Sequence, residues 1–322
     1  MSNEDAPDLR RLGVPVMVVD EAGRTLRNAA SSFRDYLEGL ADEHPAHSAA
    51  AADQQWIEDS HHKLRAPRRR VLHQGLWAKS LTLQNVLDHV LAMERVLVGE
   101  PVGIWSHLSL SRVVQEGAVR VSHIYDPRAS SEQRFALIGA AWVGDVQRHL
   151  TAAREFSSQS QLLVEAEQRW ASTERTIQAA GLTIDRDRRG CPNRVVLGEA
   201  RASCTFDLSG AAHARPSHLP VWYRLSSAAS HSTSWLMQQA TGFDAEGAIT
   251  TYADTNTVTA AVLSVLGAFE DLTATLGSYH GRDPQRAVRT IQRRTVAVIE
   301  RQRTAEQQMM QDFELMRSLE DI

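Results

Sequence analysis

The sequence predicts an all-α protein: a multi-helix bundle preceded by a short, partly extended N-terminal segment. Three observations carry that prediction. Apolar residues recur at i, i+3, i+4 and i+7 through most of the chain beyond residue 54, the spacing that lines one face of a helix. Several of these stretches are bounded by glycine or proline, as at Gly99 and Pro101, Pro127, Gly181 and Pro284. A hydrophobic fraction of 43% with 23% charged residues is that of a globular chain able to bury a core.

The elements follow in order. Gly13 to Val19 is a short apolar run closed by Asp20-Glu-Ala-Gly23, which reads as an extended segment and a turn. A helix over 30–41 carries Phe33, Tyr36, Leu37 and Leu40 at helical spacing. Residues 43–53, with Pro45 and many small side chains, read as a linker, so 1–53 is taken as an N-terminal segment and linker and 54–322 as the helical bundle domain. Residues 54–72 are polar, and Arg68-Arg69-Arg70 after Pro67 reads as a solvated helix entry.

A clear apolar stripe follows in Leu83, Val86, Leu87, Val90, Leu91 and Leu97. Further helices are predicted over 104–125, from Ser130 to Leu150 with a serine cap, and from Ser158 to Gly181. The pattern breaks over 182–220, an irregular insertion too long for a structureless loop, expected to hold short helices or a lid. Helices resume over 220–239 and 245–279, and a long C-terminal helix spans 284–319, about 50 Å at 1.5 Å per residue.

Composition excludes some classes of function. A formal net charge of −4 supplies no global field for nonspecific binding to nucleic acid or membrane. Cys191 and Cys204 lie thirteen positions apart, which is neither a metal-ligand spacing nor a disulfide framework, and they are read as free thiols. The start, Met-Ser-Asn-Glu-Asp, lacks the basic and apolar regions of a signal peptide, and no apolar run approaches the ~18 residues of a span. The expectation is a soluble cytoplasmic protein, with no membrane association. Lys63 and Lys79 are the only lysines among 35 basic residues, which leaves few candidates for Schiff-base or phosphate-loop chemistry. The nucleotide-binding glycine motifs, H-E-x-x-H and G-x-S-x-G are absent, no DNA-binding motif is found, and no cofactor or metal is called for.

The most distinctive stretch runs from Trp222 to Trp235. Arg224 and His231 are seven apart, so on one continuous helix they lie within about 20° of each other, with Ser227 between them and Tyr223 alongside. A histidine beside a fixed cation can move a proton and stabilise a developing phosphorane charge, which suffices for metal-independent RNA cleavage. The structural alternative is a His231 buried at a helix crossing and bonded to a carboxylate such as Glu116. Arg112, Glu116 and Arg120 recur every four residues as a charge ladder, and Gly117 and Ala118 imply close packing beside Glu116. Asp88 and His89 complete the polar positions, and the bundle's centre is expected where the helices bearing Asp88, Glu116 and His231 meet. With Glu116 and His231, Asp88 and His89 define a third reading, a metal-dependent bundle enzyme, although the Glu-x-x-His signature of such bundles is missing.

Three stretches carry a resemblance: Asp88-His89-Val-Leu, Leu110-Ser-Arg112-Val-Val-Gln-Glu116 through Asp126-Pro127, and Tyr223-Arg224-Leu-Ser-Ser through His231. They resemble an uncharacterised group of actinobacterial helical proteins and, more remotely, HEPN-like proteins including abortive-infection relatives. In HEPN ribonucleases an arginine and a histidine with four to six residues between them on a helix are the catalytic element, commonly completed across a homodimer; Arg224 and His231, with six between them, fit the outer limit. The resemblance implies catalytic roles for Arg224 and His231, with Glu116 orienting one of them and Tyr223, Ser227, Arg112, Asp88 and His89 in support. Leu225 departs from the family's pattern, where a polar residue usually follows the arginine. The leading expectation is therefore an RNA-cleaving or RNA-binding effector in defence or stress, acting as a homodimer. Its rival is a noncatalytic helical interaction or regulatory protein.

Overall fold

The computed structural model describes residues 14–40, 44–99, 103–155, 161–215, 220–239, 241–243, 249–251 and 253–320. They form eleven helices and five short strands, an all-α multi-helix bundle carrying a small three-stranded sheet.

The first helix, α1 (Val16–Gly39), begins where an extended segment and turn were expected. Val18, Val19, Ala22, Leu26, Ala29, Ala30 and Phe33 are buried on one face, so helical periodicity governs the whole stretch and overrides the local strand preference of Val16 to Val19. Gly23, read as part of a turn, lies inside this helix against Val98. Pro45 to Ser48 turns the chain into α2 (Ala49–Glu58), where the Ser48 hydroxyl accepts from the Ala51 amide at 3.0 Å. The expected linker thus ends in an ordered helix, and the division at residue 53 falls within it.

Most of the polar stretch 54–72 and the apolar stripe after it lie on one helix, α3 (His62–Val98), which continues through Pro67 in its second turn. Of the arginine cluster, Arg69 and Arg70 are exposed. Arg68 is buried: it stacks over Trp56 at 4.0 Å and donates to the Ala180 carbonyl at 3.2 Å. Next come α4 (Ser106–Ile124) and α5 (Ser131–Glu155). The expected cap of α5 is present, with the Ser130 hydroxyl accepting from the Gln133 amide. α6 (Gln161–Ala179) ends at Gly181, whose φ of +84° suits a residue without a Cβ.

The irregular insertion is an antiparallel meander of β1 (Thr183–Arg186), β2 (Pro192–Leu197) and β3 (Ala200–Ser203), in that spatial order, followed by the short α7 (Leu208–His213). Its register aligns Thr183 with Val196 and Arg194 with Ser203. Val195, Leu197 and Ala202 are buried where the sheet covers α5.

The helix expected over 220–239 is broken into α8 (Pro220–Ser230) and α9 (Ser234–Gln239). Ser232 between them has φ of +49°, a left-handed conformation incompatible with a continuing helix. The helix expected from 245 starts later. β4 (Thr241–Phe243) pairs with β5 (Ile249–Thr251), and α10 (Thr255–Tyr279) begins where the Asp254 carboxylate accepts from the Thr257 amide. The last helix, α11 (Gln285–Glu320), has nearly the predicted bounds.

α10 is the axis of the molecule, packed against α1, α4, α8 and α11. By length and apolarity it would pass for a membrane span, yet 72% of that apolar window is buried inside the fold, as expected of a core helix. The sequence reading put the centre where the helices bearing Asp88, Glu116 and His231 meet. Instead Asp88 and His231 are exposed and Glu116 is only partly covered, because the apolar circumference of α10 claims the centre.

Candidate functional site

The predicted site residues occupy two helices packed together, α4 and α8. On α8, Ser226, Ala228 and Ala229 are buried and fix the helix against its neighbours. That leaves Arg224 exposed and Tyr223 and Ser227 half-buried. His231 follows the last helical residue. Its amide donates to the Ser227 carbonyl at 3.1 Å, and the turn closes with Thr233 donating to the Ala228 carbonyl at 2.9 Å. The imidazole is exposed, so the structural alternative of a buried His231 bonded to Glu116 is not the arrangement found.

Glu116 instead accepts from Arg112 at 2.7 Å, one helical turn away on α4. The Arg112 guanidinium lies 5.8 Å from the centre of the Tyr223 ring, which joins the α4 ladder to the α8 motif. Arg112, Glu116 and Tyr223 therefore converge. Arg224 and His231 stand at the solvent side, and among the described residues neither has a carboxylate partner. From Leu208 to Phe243 the sequence contains no Asp or Glu.

Asp88 is exposed on α3, and His89 beside it is engaged by its own helix, with Nδ1 2.8 Å from the Asn85 carbonyl. Among the described residues no group of three or more His, Cys, Asp or Glu side chains is placed to hold a metal ion, so Asp88, His89, Glu116 and His231 do not form a ligand set. Cys191 is exposed and Cys204 buried, both as free thiols, and burial pushes the Cys204 thiol up to about 11.

The sequence reading missed a second polar centre. The Arg134 guanidinium on α5 is enclosed and forms a forked ion pair with Asp53 of α2, with contacts of 2.7 and 2.9 Å. The Tyr279 hydroxyl at the end of α10 donates to the same carboxylate at 3.1 Å. Tyr125, just past α4, meets the Tyr279 ring edge-on at 5.2 Å. Lys79 of α3 lies over the Tyr125 ring at 4.8 Å and 3.3 Å from His280 Nε2. Burial pushes the Lys79 amine down to about 8, and burial together with Lys79 pushes His280 down to about 3. The only trace of this centre in the sequence is the rarity of lysine. An ion pair formed across 81 positions leaves no local pattern.

Comparison of the chain with family models, with curated proteins and with solved structures returned no match.

Proposed function

We propose that this protein is an RNA-directed effector whose working face is the exposed end of α8, with Arg224 as the fixed cation and His231 as the proton-transfer group. The observation that carries the reading is their shared exposure. Had His231 been locked into a helix crossing by Glu116, no substrate could reach it. A phosphodiester lying along this face would meet Arg224 and Arg112 as cations, and His231 could accept the proton of a 2′-hydroxyl attacking phosphorus, while the bond from phosphorus to the 5′-oxygen breaks and that oxygen takes a proton from water. Glu116, paired to Arg112, acts as a positioning residue. A homodimer would bring two such faces into one assembly.

The test is expression of the protein beside its Arg224→Ala and His231→Ala variants, with growth and RNA integrity measured, followed by incubation of purified protein with RNA and a chelator. The expected result is cleavage that survives chelation, leaves cyclic phosphate ends and falls by about a hundredfold or more in His231→Ala. Intact RNA with wild type and variants alike removes the catalytic reading. RNA binding that weakens in Arg224→Ala without any cleavage would favour a noncatalytic binding module instead.

A further inference from the structure

A strongly basic stretch opens α11. From Arg282 to Arg294 the sequence holds five arginines and one acid, Asp283, in a protein whose formal net charge is −4. Three of these arginines form a line. Arg286, Arg289 and Arg293 follow one another at i, i+3 and i+7, which places them within about 60° on one side of the helix and along about 10 Å of its axis. All three are exposed, on the side opposite Ile291 and Val298, which are buried where α11 packs on α10 and α1. Arg294 sits at the boundary with α1 and donates to the Ser32 hydroxyl at 2.8 Å.

This line is unfavourable for the fold taken alone. Cations near the first turn of a helix oppose its dipole, and α11 has no acid in that turn. Arginines three and four residues apart repel one another along the helix surface. Among the described residues Arg286, Arg289, Arg293 and Arg294 have no carboxylate partner to offset either cost. Two acids beside the stretch are engaged by neutral groups instead: Asp283 accepts from the Gln285 amide at 3.0 Å, and Glu270 of α10 accepts from the Gln292 side chain at 2.9 Å. Elsewhere exposed arginines are paired, as Arg69 is with Glu58 and Arg128 with Asp126.

We propose that this side of α11 is a docking surface for the phosphate backbone of an RNA strand, with Arg286, Arg289 and Arg293 as the phosphate contacts. The choice of RNA rests on the reading of the α8 face as RNA-directed, whereas the call for a polyanion rests on α11 alone. An exposed line of cations suits a chain of regularly spaced negative charges, which releases counter-ions as it binds, better than one small anion. A membrane surface fits less well. An interfacial helix sets large apolar side chains beneath its cations, and among the described residues from 285 to 303 Val296, at 53%, is the one large apolar side chain left strongly exposed. Glu300, two turns beyond Arg293 on the same side, ends the line.

The test measures binding of a 2′-O-methyl RNA oligonucleotide, which lacks the attacking hydroxyl and so stays intact, to the purified protein over a range of salt. Arg286→Gln, Arg289→Gln and Arg293→Gln combined should weaken binding about tenfold or more at low salt. They should also lower the slope of log affinity against log salt by about 2, from ~0.7 for each of three phosphate contacts in a single strand. The same variant should melt at the wild-type temperature or above, because the repulsion is gone. Arg70→Gln, Arg175→Gln and Arg188→Gln combined remove the same charge from exposed positions elsewhere and should leave the affinity nearly unchanged. No binding by wild type, equal loss in the two triple variants, a lowered melting temperature accompanying the loss, or tighter binding to phosphatidylserine vesicles than to RNA would overturn the assignment. Failure here and failure of the α8 reading look different. Binding that depends on the three arginines in a protein that never cleaves RNA supports the α11 surface and removes only the catalytic role of His231, whereas cleavage with binding indifferent to the α11 variant overturns the α11 surface alone.

Discussion

Arg134 can stay charged in the interior because Asp53 meets its fork on one edge while the Asp126 and Ala129 carbonyls accept on the other. Removing one partner strands the other, so Asp53→Ala should lower unfolding free energy by about 3–5 kcal/mol in urea titrations. Replacing Asp53 and Arg134 together with apolar residues should cost much less, because no charge is then left buried and unpaired. Tyr279→Phe removes a single hydrogen bond to the same charged carboxylate and should cost about 1.5–3 kcal/mol.

His107 gives a pH dependence of definite sign. It is fully buried on α4, with Nδ1 donating to the Gly103 carbonyl at 3.0 Å, and burial pushes it from 6.5 down to about 4. Above 6.5 it is neutral in folded and unfolded chains alike. As pH falls from 6.5 towards 4 the unfolded chain takes up the proton and the folded one does not, so stability declines. The full drop corresponds to about 3 kcal/mol. Urea titrations between pH 7 and 4 should show this decline, and His107→Gln should lessen it, the remainder coming from His280, which burial likewise holds neutral in the fold.

At the scale of elements, small residues mark where backbones approach. A Cβ added at Gly144 of α5 would run into the Cys204 carbonyl, a backbone atom that cannot rotate aside. Alanine there gains about 1 kcal/mol of helix propensity, but overpacking costs about 1–3 kcal/mol and should win. Gly144→Ala is therefore expected to lower the denaturation midpoint despite being helix-favouring. The insertion shows the limit of periodicity. β1, β2 and β3 are four to six residues long, and their buried face becomes recognisable only when α5 lies beneath them. The same holds for α8, which the sequence reading continued through His231. Its Ser- and Ala-rich repeat fits a helix, and only the left-handed turn at Ser232 divides it from α9.

At the scale of the molecule, α1 is part of the main core. Phe33 stacks on Phe269 of α10 at 4.5 Å, and the Tyr36 hydroxyl donates to the Thr273 carbonyl at 3.0 Å. A chain beginning at residue 41 would bare that apolar face of α10. It should lose cooperative thermal unfolding and near-ultraviolet circular dichroism, whereas a dispensable N-terminal segment would leave both unchanged.

The all-α class, the bounds of α4 and α11, the start of α5 and the end of α6 were legible in the sequence, because they depend on 3.6-residue periodicity and local caps, whereas α5 runs on to Glu155 beyond the expected end at Leu150 and the expected start of α6 at Ser158 lies outside the described residues. So was the pairing of Arg112 with Glu116, an interaction one helical turn long. The tertiary structure alone decided that α10 and not the Asp88, Glu116 and His231 region is the centre, and that His231 faces solvent. It alone joined Lys79, Tyr125, Tyr279 and Asp53 into a second polar centre. Those contacts join residues far apart in the chain, so which side chains meet depends on how whole helices pack, and no local pattern records it.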